Sequence, residues 1–207
     1  MNIYAQENIP HKRAHHALIY DEAGKKIFMT AGSTPLYGGN SFKFFNDCWN
    51  FDGTKWMQKG IAGDERSGIA LAYDTKRNKI YSFGGFTGNN QSRSELRVFE
   101  NNDWKFVSEI PGLKAAEAGL VYDSHRDRLI TFGGSAERGK LNNETWEWDG
   151  KEWKKLSSEG PPKRAMGYLA YDKERKKVVL FGGRLGWPND ANDTWEWDGT
   201  KWTELKF

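Results

Sequence analysis

Along this chain apolar and polar residues alternate in short runs, and no window keeps the three-to-four-residue spacing of an amphipathic helix. In the last quarter, Tyr168-Leu-Ala-Tyr171 precedes the charged turn Asp172–Lys177, and Val178-Val-Leu-Phe181 follows, stopped by Gly182-Gly183. Beyond a variable loop, Thr194-Trp-Glu-Trp197 alternates with period two, and Asp198-Gly199 tolerates the positive φ of a tight hairpin. Lys201-Trp-Thr-Glu-Leu205 supplies a fourth strand. The pattern predicts an all-β chain of antiparallel meanders.

The same unit recurs. Trp56, Trp104, Trp153 and Trp202 are spaced by 48, 49 and 49 residues. The pairs Tyr20-Asp21, Tyr73-Asp74, Tyr122-Asp123 and Tyr171-Asp172 keep nearly the same period, as do Ala31-Gly32, Gly84-Gly85, Gly133-Gly134 and Gly182-Gly183. Three independent marks on one period define a fourfold internal repeat. A four-stranded unit repeated radially is the signature of a β-propeller, whose blades bury one another's faces. The expected organisation is an N-terminal segment, 1–12, with room for an extra strand at Asn2-Ile3-Tyr4. One propeller domain, 13–207, follows, with repeats 13–60, 66–110, 115–160 and 164–207.

The repeats resemble kelch repeats, particularly the bacterial form with a double Gly and then Asn-Asp-x-Trp-x-Trp-Asp-Gly and a further Trp. Gly182-Gly183 with Asn192–Gly199 and Trp202 carries the resemblance most fully, as does Gly133-Gly134 with Asn143–Gly150 and Trp153. The implied fold is a kelch-type β-propeller built from four four-stranded antiparallel blades per chain. Two copies depart from the pattern: Ala31 replaces the leading Gly, and Arg97 replaces the Trp of the third strand, with Asn101-Asn102 in place of Asp-Gly. Kelch propellers usually have five to eight blades. A closed four-bladed monomer, a homodimer completing an eight-bladed ring, and a piece of a larger propeller all remain open readings.

Composition narrows the class. One cysteine among 207 residues, Cys48, excludes an internal disulfide framework, so ten tryptophans must hold the fold by packing. A net charge of +3 is too small to argue for nucleic acid. The absence of a long apolar run or a signal-peptide core points to a cytoplasmic chain with no membrane partner. No cofactor motif stands out, because the Gly doublets end strands and belong to the repeat. Strand alternation puts the long, variable loops and the inter-blade connectors on one face, which also carries most of the excess positive charge.

Candidate site residues lie on that face. Arg13, Arg66 and Arg164 occupy one connector position, where the third copy has Ala115. The kelch resemblance implies that such arginines line a pocket around the central axis, and a planar guanidinium suits a carboxylate or phosphate. The competing reading pairs each Arg with a neighbouring blade's Asp or carbonyl. The loops add Tyr37, Phe86, Arg184 and Trp187, the last being the only tryptophan off the repeat period. His16 starts the first strand of its blade, but its counterparts Ile69, Ala118 and Gly167 exclude a fourfold metal ring. No metal site is expected from His11 and His15, which lack partners at ligand spacing.

These features favour a non-catalytic binding scaffold for a protein, peptide or glycan ligand. Two alternatives stand beside it. One is a small enzyme at the propeller axis, such as the sugar mutarotase or cyclase that some kelch-type propellers host, which would need an acid–base pair such as His16 with Glu65 or Glu117. The other is a structural, oligomer-forming propeller.

Overall fold

Each unit opens with a hairpin whose turn is closed by the Asp of the Tyr-Asp pair. The Asp21 carboxylate accepts the Gly24 amide at 2.9 Å, and Asp74, Asp123 and Asp172 accept the amides of Arg77, Arg126 and Arg175 in the same way. The last hairpin of each unit uses the Asp-Gly pair. Asp52, Asp149 and Asp198 accept an amide three residues on, while the following glycines take φ near +98°. In the second unit Asn101 and Asn102 adopt φ of 54° and 61°, so the turn persists on residues whose short polar side chains tolerate that region.

These turns join sixteen strands in a computed structural model that describes residues 9–36, 41–88 and 91–207, without the side chains of Ala62 and Arg138. The expected strand Asn2–Tyr4 and the candidate Tyr37 lie outside the described residues. The first unit comprises β1 (Ala17–Asp21), β2 (Lys26–Thr30), the short β3 (Ser33–Pro35), β4 (Phe42–Phe51) and the start of β5 (Trp56–Asp74). The second continues from β5 through β6 (Lys79–Phe86), β7 (Glu95–Glu100) and β8 (Asp103–Glu109). Strands β9 (Gly119–Asp123), β10 (Arg128–Phe132), β11 (Thr145–Trp148) and β12 (Trp153–Ser157) form the third. The fourth is β13 (Tyr168–Asp172), β14 (Lys177–Gly186), β15 (Asn189–Trp197) and β16 (Trp202–Leu205).

All pairings are antiparallel between chain neighbours, except that β2 pairs with β4, past the short β3. The third and fourth units are separate four-stranded sheets, whereas the first two share one eight-stranded sheet because the connector between them is itself extended within β5. No α-helix occurs among the described residues, and no helix is long and apolar enough to cross a membrane. The fold is therefore all-β and antiparallel, built largely of four-stranded meanders.

Three apolar clusters hold the units together, one at each successive junction. Phe28 and Cys48 of the first unit pack with Tyr73 and Ile80 of the second. Phe83 and Leu96 meet Leu120, Leu129 and Trp148 of the third, and Ile130 and Phe132 meet Leu180, Trp197 and Trp202 of the fourth. At two junctions a strand-four tryptophan packs against the Phe that precedes the Gly doublet of the preceding unit: Trp153 tilted on Phe83 at 5.4 Å, Trp202 edge-on to Phe132 at 5.3 Å. At the first junction Trp104 meets Phe28 edge-on at 6.0 Å. Aromatic packing of this kind adds roughly 0.5–1.5 kcal/mol beyond the area buried.

The doublets are glycine because the next unit's connector runs over them. A Cβ on Gly84 would come within 2.1 Å of the Ala115 carbonyl, and one on Gly133 within 2.6 Å of the Arg164 carbonyl. The first strands β1, β5, β9 and β13 contact each other in that order, and no comparable contact joins β13 back to β1.

Candidate functional site

Each connector arginine ends in a clamp within its own unit. Arg13 donates to the Ala31 carbonyl at 3.0 Å and forms a two-pronged pair with Asp47 at 2.5 and 2.7 Å. Arg164 repeats this with the Gly182 carbonyl at 2.9 Å and Asp193 at 2.6 and 2.8 Å. Arg66 reaches the Gly84 carbonyl at 3.0 Å and divides its remaining donors between Asp64 and Glu95. The acid belongs to the strand-three motif, and the tryptophan two residues on shares its side of the strand. Accordingly the Trp49 and Trp195 indoles donate to Asp47 and Asp193, both at 2.7 Å.

The departures from the repeat obey the same logic. Arg97, standing where the other units have Trp, donates to Glu95 and to Asp64, completing a four-residue network with Arg66. In the third unit Ala115 brings no guanidinium, and Glu144 is held by Lys155 and the Trp146 indole instead. Burial works against ionisation of Asp47, Asp64 and Glu95, yet the bonds from Arg13, Arg66 and Arg97 outweigh it and hold all three below their ordinary values. For Asp193 the Arg164 bond is itself the largest influence, and it acts in the same direction.

With side-chain exposures of 2%, 7% and 0%, Arg13, Arg66 and Arg164 have their donors committed inside the protein. Their partners lie within their own unit and not in a neighbouring blade: the planar forks that suit a carboxylate have found carboxylates of their own unit.

What the four units do bring together is the start of their first strands. Residues His15–Leu18, Gly68–Leu71, Glu117–Leu120 and Met166–Leu169 line a single cavity of about 400 Å³. At its mouth, four residues of one repeat position form a chain of backbone bonds across the units. Gly68 donates to the His15 carbonyl at 3.0 Å, Glu117 to Gly68 at 2.8 Å, and Met166 to Glu117 at 2.8 Å. His15, Glu117 and Met166 all take left-handed φ of 52–57°, a conformation that costs non-glycine residues energy and concentrates at functional sites.

Side chains from two units meet at this mouth. The His15 Nδ1 lies 3.7 Å from a Glu117 oxygen, and Ser135 Oγ approaches the other oxygen at 3.5 Å. Burial raises the Glu117 carboxyl above its ordinary value, against the opposing influence of His15, Ser135 and Arg184. His16, also in the lining, is lowered by partial desolvation and then by the charge of Arg13. A carboxyl that resists ionisation beside an imidazole can donate or accept a proton, or form hydrogen bonds with polar ligand atoms.

The other candidates fall around this mouth or outside it. Arg184 is bridged to Ala165, next to Met166; it bonds Asp190 at 3.0 Å and lies 5.3 Å from the ring centre of Trp187. Trp187 is 83% exposed at the tip of the β14–β15 hairpin. Phe86 packs edge-on against Phe44 and would touch any Cβ added at Gly68. A larger cleft, about 960 Å³, borders the first unit beside His11, Phe45 and Glu65, but its Asp47 is already taken by Arg13.

No protein-family model matches this chain, and no curated protein matches it. A fold neighbour exists. The solved structure described as "Structure of YjhT" superposes with a TM-score of 0.75, covering 97% of this chain and 70% of YjhT, at 13% sequence identity. At that identity the likeness is one of fold alone, and it extends over all four units.

The His15–Glu117 pair differs from the pairings expected from sequence, His16 with Glu65 or Glu117. Its signal was present in the repeat: aligned on the Tyr-Asp pair, one position reads His15, Gly68, Glu117, Met166. That position holds four different residue types while the position before it stays small, with Ala14, Ser67, Ala116 and Ala165.

Proposed function

We propose that the four units are blades of a kelch-type β-propeller serving as a binding scaffold, and that the ligand sits at the mouth of the axial cavity. The observation that carries this reading is the convergence of His15 and Glu117, from different units, over a cavity lined by all four first strands. His16, Arg184, Phe86 and the exposed Trp187 add polar and aromatic surface around it. That combination suits a small polar ligand with an apolar face, a glycan or the side chains of a peptide, as binding pockets generally pair apolar walls with few placed polar groups. Screening a glycan and peptide panel and then titrating hits against Glu117→Gln tests it. Loss of about tenfold or more in affinity with an unchanged melting temperature is expected, and equal affinity would move the site elsewhere.

A second reading, a small enzyme acting at the same axis, is favoured by one observation: the imidazole and the buried carboxyl lie close enough to exchange a proton through a ligand. Under it, Glu117→Gln would abolish turnover of a sugar substrate while leaving binding within a fewfold of the parent.

A further inference from the structure

At every internal junction the strand-four tryptophan of one unit enters a socket on the preceding one, and the residue after the strand-three acid forms part of that socket. Trp202 packs edge-on to Phe132 and donates its indole N–H to Thr145 at 2.8 Å. Trp104 lies against the Cys48 thiol. Trp153 packs tilted on Phe83 but faces Leu96, and its indole N–H is accordingly left without an acceptor. The best-formed socket therefore consists of a Phe before the Gly doublet and a Thr after the acid.

The fourth unit carries that same pair on its outward face. Phe181 and Thr194 are register partners, as Phe132 and Thr145 are in the third unit. Yet Phe181 is 58% exposed where Phe132 is 2% exposed. The opposite end of the chain holds the matching knob. Trp56 is backed by Phe51 at 5.2 Å, just as Trp202 is backed by Trp197 at 5.5 Å, so the same aromatic backing is in place. Tyr20, on the first strand of the same sheet, is 51% exposed, whereas Tyr73 and Tyr122 at the same repeat position are buried against the preceding unit. Inside the chain, Tyr73 and Tyr171 also accept amides from the preceding unit's first hairpin, at 3.0 and 3.2 Å.

We propose that these two faces are the halves of one interface, and that Trp56 and Tyr20 of one copy seat on Phe181, Thr194 and the hairpin Asp172–Lys177 of a second copy. Trp104, Trp153 and Trp202 are already inserted, so within this chain Trp56 is the strand-four tryptophan left to fill the socket. The contact continues the internal packing from one chain into the next, it is head-to-tail, and the proposed pair is a ring in which each copy's knob fills the other's socket. None of these residues lines the axial cavity, so the proposal stands apart from the ligand reading.

Sedimentation velocity at micromolar concentration tests it, using the parent and the variants Tyr20→Glu and Phe181→Glu. The expected parent species has twice the 23.7 kDa chain mass. Each variant alone is expected to associate about thirtyfold or more weakly, the scale of losing a central interface residue. Both positions are exposed in the single chain, so the circular dichroism spectrum and melting of the monomer should persist; Thr194→Lys is a second socket variant should Phe181→Glu misfold. A parent that stays at single-chain mass or a variant that associates as well as the parent would each overturn the proposal.

Discussion

Replacing Arg164 with Ala separates an architectural arginine from a ligand contact. The guanidinium has no solvent exposure, and its removal deletes the bond to the Gly182 carbonyl and both bonds to Asp193, leaving that carboxylate with the Trp195 indole alone. Removing one partner of a buried pair costs about 3–5 kcal/mol, because the remaining charge is left without its counter-ion. Asp193 keeps 20% exposure, so water recovers part of its solvation and the low end, about 3 kcal/mol, applies. In a domain of this size such a loss lowers the melting temperature by roughly 6–12 °C. Urea titration with linear extrapolation is the assay, with Arg164→Lys as a comparison that keeps the charge and loses the fork. A cost below about 1 kcal/mol, the range of exposed pairs, would refute the clamp, the more so if ligand binding vanished at the same time.

The pH dependence of the parent should carry the signature of the same clamps. Asp47, Asp64, Glu95 and Asp193 have folded values below their unfolded ones, so their contribution is fully present above about pH 4–5 and is lost as pH falls through the folded values; denaturation followed at stepped pH should show this fall, and Arg164→Ala should flatten the Asp193 share. Glu117 has the opposite sign. Its raised value means that ionisation opposes folding, so Glu117→Gln should not lower stability at neutral pH, as a melting curve will show. Thr145→Val strips the buried Trp202 indole of its acceptor and should cost about 1–3 kcal/mol by urea titration. Gly84→Ala forces a Cβ toward the Ala115 carbonyl at φ +72°, and a drop in melting temperature exceeding that of an exposed Gly→Ala change such as Gly53→Ala is expected.

Periodicity made the strand order legible because every turn is written in residues that can close it. Asp21 and its counterparts cap one hairpin, and Asp-Gly or Asn-Asn closes another. The extent of β5 was not legible. Its connector, Gly60–Arg66, reads as a loop in glycine and charge, yet pairing with β4 at Ile61 and Arg66 keeps it extended. Likewise, the loop around Trp187 turns out to lengthen the β14–β15 hairpin, a pairing that its Asn and Asp residues do not announce.

The site was half legible for a comparable reason. Position along the repeat singled out the three arginines as equivalent, but an arginine's partner is chosen in three dimensions, and Asp47 lies 34 residues from Arg13 in sequence. His15 and Glu117 belong to units that are not sequential neighbours, and only the arrangement of the first strands around a shared cavity brings them together. Arg97, which breaks the tryptophan pattern, finds its reason in the same way: it answers Glu95 and Asp64 with charge where the other units answer with an indole.

The most direct measurement of the central claim is the imidazole NMR spectrum of the four histidines during titration with a ligand identified from the panel. If the ligand occupies the axial mouth, the signals of His15 and His16 move with saturation, and His125, in the hairpin at the far end of β9, stays fixed. A saturating ligand that leaves His15 and His16 unmoved would contradict it.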